Sequence, residues 1–134
     1  MGPGTGLAAP GLTAGAAALA ILLALTAAPA SAGKADVLTA TIEPGSDGRR
    51  FTISVTLRHA DSGWDHYANR WEVVGPDGRV LATRTLYHPH VDEQPFTRSL
   101  GDIDIPMPIT WVKIRGHDLV HGHGGREVTL SVPR

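Results

Sequence analysis

The 134-residue sequence contains no cysteine, which excludes a disulfide framework, any thiolate metal ligand and a lipid-modified cysteine at a leader cleavage site. Aromatic residues are only 5% of the chain, so no aromatic-rich amphipathic surface returns it to a membrane. Neither sign of charge is in excess: 12 Lys and Arg oppose 13 Asp and Glu. The electrostatic footprint of a nucleic-acid binder is therefore missing. Beyond residue 32 no segment keeps a 3.6-residue hydrophobic period for more than a turn, which argues against a helical core.

What is present begins with an apolar run at residues 16–28, AAALAILLALTAA. It falls short of the roughly 20 residues that span a bilayer but has the length of a signal-peptide core. Pro29-Ala30-Ser31-Ala32 follows, and Ala30 and Ala32 are the small side chains that a signal peptidase accepts. The reading is a signal peptide at 1–32, cleaved after Ala32, and one domain at 33–134, periplasmic or secreted and free of the membrane after cleavage. One feature departs from the pattern: the first charged side chain is Lys34, so the n-region carries only its terminal amine.

Seven period-two segments are legible in the domain. Residues 35–43 put Leu38, Ala40 and Ile42 on one side, and residues 51–58 alternate Phe51, Ile53, Val55 and Leu57 with polar partners. Residues 70–74 and 80–87 flank Gly75-Pro76-Asp77-Gly78 and read as a hairpin. A short strand is expected at 96–100, a proline-punctuated connection at 101–109, and strands at 110–115 and 127–132. This pattern points to an all-β, seven-stranded antiparallel sandwich of the immunoglobulin or fibronectin kind, with Trp71 in its core.

All seven histidines fall in connections two, four and six: His59 and His66, then His88 and His90, then His117, His121 and His123. Antiparallel succession brings even connections to one end of a sandwich. Imidazoles gathered there need acceptors or a shared cation. His88-x-His90 and His121-x-His123, read as extended backbone, each present two rings on one face. Asp61, Asp65, Asp92, Glu93 and Asp118 lie in the same loops, ready to complete a site or to accept the second N–H of a ligating ring. With no sulfur among the donors, the set favours Zn(II) or Cu(II), and admits Ni(II), over Cu(I). The expected ligands are His88, His90, His121 and His123, with His66 and His117 auxiliary. His59, at a strand end, reads as structural.

Other features have plainer readings. Trp64 reads as a lid on the sandwich end, and Arg70, Arg84, Arg98 and Arg115 as cross-strand partners of carboxylates. Gly122, Gly124 and Gly125 precede no helix that would make a phosphate loop. Ser62, Asp61 and His66 lack a nucleophile elbow, so no residue is assigned a catalytic role.

The segments Gly63-Trp64-Asp65-His66-Tyr67-Ala68, Arg70-Trp71-Glu72-Val73, residues 88–100 (HPHVDEQPFTRSL) and residues 117–125 resemble a group of small exported bacterial proteins with no assigned activity. The resemblance covers nearly all of the domain and implies export and compact size. The H-x-H usage is similar to that of copper-zinc superoxide dismutases in its chemistry alone, since their disulfide and remaining ligands are missing. The function expected is exported binding of a divalent transition metal for carriage, buffering or sensing. The alternative is a metal-free module that recognises an envelope protein or ligand through Trp64, Tyr67 and the loop carboxylates.

Overall fold

The computed structural model describes residues 33–134; the expected signal peptide lies outside them. The alternating segments form seven strands, β1 (Asp36–Pro44), β2 (Arg50–Arg58), β3 (Ala68–Val74), β4 (Val80–Thr85), β5 (Phe96–Asp104), β6 (Trp111–Asp118) and β7 (Val128–Ser131). They make two antiparallel sheets, one ordered β1-β2-β5 and the other β4-β3-β6-β7. There is no helix among the described residues, and so none long and apolar enough to cross a membrane.

The core lies between the sheets. Phe51, Ile53, Val55 and Leu57 of β2 face Trp71 and Val73 of β3 and Val112 and Ile114 of β6, all buried. Fully burying one such side chain contributes about 1.5–3 kcal/mol relative to exposure. This inward face is the alternation read from the sequence. In β1 a register shift between Val37 and Thr39 changes the phase, as a bulge does. Val37 is thereby fully buried, while Leu38, Ala40 and Ile42 are only half-buried.

Two strands run further than their apolar pattern. β5 continues past Leu100 because its pairing with β2 shifts register opposite Phe51 and Ile53. Asp102 takes a left-handed φ of 53° there, and Ile103 returns to the core. β6 continues past Arg115 because Gly116 has no side chain: a Cβ there would sit 2.9 Å from that of Ala35 and 3.1 Å from Leu57. The backbone can thus lie flat against the other sheet. His117 and Asp118 consequently sit on a strand rather than in the loop where the sequence placed them.

The three even connections meet at one end. His59 N–H donates to Gln94 Oε1 at 3.0 Å, His90 N–H to Asp61 Oδ2 at 2.7 Å, and Leu119 N–H to the Tyr67 carbonyl at 3.2 Å. Each of these bonds ties two different even connections or the strand ends beside them.

Candidate metal centre

Strand β2 ends at Arg58, and His59 continues its inward alternation, leaving the residue 2% exposed. Two residues on, Asp61 turns back onto the ring, with Oδ1 2.5 Å from His59 Nδ1. The same carboxylate accepts the Ala68 N–H at 3.0 Å and, through Oδ2, the His90 N–H. An ionised carboxylate only accepts, so Nδ1 donates to Asp61 and Nε2 is the nitrogen turned toward the rest of the cluster. There Nε2 faces two further acceptors, the Gly33 carbonyl at 3.2 Å and Asp118 Oδ2 at 3.6 Å, so that position takes either an N–H donating to the carbonyl or a cation.

Asp118 closes β6 with a fully buried side chain. Its Oδ1 accepts the N–H groups of Val120 at 2.8 Å and His121 at 2.6 Å. Burial by itself raises the pKa of this carboxyl. The amide donors of His121 and Val120, with the nearby rings of His59 and His121, outweigh burial and hold it below the usual value. Asp118 Oδ2 is buried and has no hydrogen-bond partner; neither has His66 Nε2, which lies 3.4 Å from Asp118 Oδ1. Buried polar atoms are nearly always satisfied, so two orphans side by side could take a further partner; Trp71 Nε1 and His90 Nδ1 are also buried without one.

One donor atom from each of His59, His66 and Asp118 lies within 4.8 Å of the others. Bonds of 2.0–2.1 Å in a tetrahedral zinc site set ligand atoms about 3.3–3.5 Å apart, a contraction within reach of side-chain rotation. Two imidazoles and a carboxylate suit Zn(II) or Cu(II), and the Asp61 carboxylate behind His59 is the outer partner that such ligands commonly have. His121 stands beside them, its ring 5.0 Å from that of His66 and its Nδ1 3.4 Å from Asp118 Oδ1.

The remaining histidines form two other groups. His117 and His123 lie 4.9 Å apart, ring to ring, over β3. His117 Nδ1 bonds Asn69 Oδ1 at 2.6 Å, and His123 Nε2 bonds Glu72 Oε1 at 3.0 Å. Burial, with the charges of Arg70 and His123, lowers the His117 pKa. Glu72 is also bound by Arg70 of its own strand and by Arg115 of β6, each at 2.8 Å; the Arg115 pair is the cross-strand use expected. His88 and His90 pair at 4.6 Å, but His90 stacks on Phe96 at 3.9 Å and its Nε2 faces the Arg98 guanidinium at 3.0 Å. Burial, Arg98 and His88 together lower the His90 pKa.

Of the two pairs expected from the sequence, His88 and His90 do lie ring to ring, but His121 and His123 part company. The 121–123 segment is a turn, bridged from Asp118 to Gly122 with φ of +70° at Gly122. The alternation of extended backbone does not apply there, and His121 and His123 join different groups. His59, read as structural, stands at the centre of the cluster. The signal that could have found it is the His59-x-Asp61 spacing, which sets a carboxylate on the ring's rear nitrogen. Trp64 is not a lid but stands 66% exposed, edge-on to Tyr67.

Among known proteins, no family model matches the chain and no solved structure matches it. One similar protein is described as "Putative lipoprotein", from Halomicrobium mukohataei, 41% identical over 98 residues. The match covers 73% of this chain and 47% of the relative, so the chain spans about half the length of the curated protein it resembles.

Proposed function

We propose that this protein is exported and binds one divalent transition-metal ion, Zn(II) or Cu(II), at His59, His66 and Asp118, with His121 at hand as a further ligand. The observation that carries the reading is the pair of buried, unpartnered atoms, His66 Nε2 and Asp118 Oδ2, facing a histidine whose rear nitrogen is held by Asp61. His117 with His123, and His88 with His90, are secondary positions for metal, because among the described residues only His59, His66 and Asp118 bring three donor atoms within 4.8 Å of one another. The role is carriage, buffering or sensing rather than catalysis. The lipoprotein description of the relative supports export, as does the leader pattern, with a signal peptide at 1–32 and a domain at 33–134. The three-plus-four strand arrangement supports a sandwich of the immunoglobulin or fibronectin kind.

Calorimetric titration with Zn(II) and Cu(II) tests the proposal. One ion is expected to bind per chain, with His66→Ala and Asp118→Asn each weakening it by at least about tenfold. Binding unchanged in both variants would overturn it. A second reading rests on Trp64, Tyr87, Val91, Leu119 and Val120, all exposed and all in the even connections or next to them. It is recognition of an envelope protein or ligand without metal, and partner capture that survives a chelator in a protein taking up no metal would favour it.

A further inference from the structure

Gly33 is the residue that leader cleavage after Ala32 would make the first of the chain, and it packs into the cluster just described. Its carbonyl oxygen is 3.2 Å from His59 Nε2. Its backbone has φ of +79°, a left-handed conformation that glycine adopts without steric cost. A Cβ on Gly33 would lie 2.7 Å from His121 Cε1 and 3.0 Å from His121 Nε2, closer than carbon atoms approach. Glycine suits the position by conformation, and a side chain there would have to push the His121 ring aside. Covalent geometry separates a residue's nitrogen from its Cβ position by about 2.5 Å, so the Gly33 nitrogen lies within about 5 Å of the His121 ring.

We infer that the α-amine of Gly33, released by cleavage after Ala32, is itself a metal ligand, so that the site is completed only in the processed protein. The inference rests on the proposed site at His59, His66 and Asp118. Before processing, the Gly33 nitrogen is an amide, whose lone pair is delocalised into the Ala32 carbonyl and which is a poor metal donor while it keeps its proton. Signal-peptidase hydrolysis adds water across the Ala32–Gly33 bond, leaving a carboxylate on Ala32 and an ammonium on Gly33. On coordination that ammonium gives one proton to solvent, and the freed lone pair binds the ion. The Gly33 carbonyl lies on His59 and its Cβ position lies against His121, which sets the amine beside the edge of the cluster. The immature chain would then pass through the cell interior with a weak site and acquire its full affinity on the far side of the membrane.

The full chain is expressed in an exporting host, and intact mass identifies the first residue of the purified product. Cu(II) and Zn(II) are titrated into this product, into the same product carbamylated with cyanate near neutral pH, and into a product with one serine inserted between Ala32 and Gly33. Carbamylation reaches an α-amine of pKa about 7.7–8.0 ahead of lysines near 10.4, and the sequence has only Lys34 and Lys113. The insertion keeps an amine but moves it by up to about 3.5 Å. The expected result is a chain starting at Gly33, with affinity at least about tenfold lower in both altered forms and their metal-free melting temperatures unchanged. A different first residue, or equal affinity in all three, would overturn the inference. Should affinity be equal in all three yet fall in His59→Ala, the metal site stands without the amine; should no form bind, the site fails together with it.

Discussion

Replacing Asp61 by alanine probes how the candidate site is held to the fold. The Asp61 carboxylate is buried and takes three donors from three segments: His59 Nδ1 at 2.5 Å, Ala68 N–H at 3.0 Å and His90 N–H at 2.7 Å. Alanine leaves all three without an acceptor. A buried donor so orphaned costs about 1–3 kcal/mol, and such costs add incompletely within one network. The expected loss is about 3–5 kcal/mol, a large share of the 5–15 kcal/mol that holds a typical domain. In urea, with a slope of about 1.5 kcal/mol per molar, the unfolding midpoint falls by about 2–3 M. Asp61→Asn keeps one oxygen acceptor and is expected to lose roughly half as much. Asp65→Ala, at an exposed position of the same loop, serves as the control and should change stability by less than about 0.5 kcal/mol. A loss below about 1 kcal/mol for Asp61→Ala would refute the reasoning, since it would mean that the three donors find water or other partners at no cost.

Further outcomes follow from the same geometry. Metal at a hundredfold excess over its dissociation constant should stabilise the fold by about 2.7 kcal/mol, raising the melting temperature by roughly 10–20 °C for a domain of this size, and a chelator should reverse it; a melting temperature indifferent to both would count against the site. Gly125→Ala would drive a Cβ into the Ala35 carbonyl and break the junction where Arg126 N–H meets Asp36 Oδ1 at 2.7 Å. A loss of about 3 kcal/mol or more is expected by chemical denaturation. Burial acts to raise the Glu72 pKa, but the hydrogen bonds from Arg70 and Arg115 and the charges of Arg115 and His123 outweigh it, and the net shift is downward from 4.5. A lowered carboxylate pKa contributes stability above the unfolded value that is lost as pH falls through the folded one. Stability of the wild type should therefore drop below about pH 4.5, and Glu72→Gln should drop less steeply over that range when urea midpoints are compared.

Strand β2 and the hairpin of β3 and β4 were legible because local alternation and turn chemistry agree with the final packing. The extensions of β5 and β6 were not, since Asp102 and Gly116 serve contacts made by distant strands rather than a local pattern. The same division holds at the site. That the even connections meet follows from antiparallel succession alone, and their composition pointed to metal. Which rings face one another depends on a turn at Gly122 and on how far β6 runs, and neither leaves a periodic trace. His59 reads as a strand-end residue in sequence because its importance comes from Asp61, Gly33 and Asp118, which only the folded chain brings to it.

Anomalous scattering at the zinc edge from crystals grown with Zn(II) would locate the bound ion. One strong peak is expected about 2.0–2.2 Å from a nitrogen of His59, a nitrogen of His66 and an oxygen of Asp118. A peak between His88 and His90 or between His117 and His123 with none at the buried cluster, or no peak at all, would contradict it.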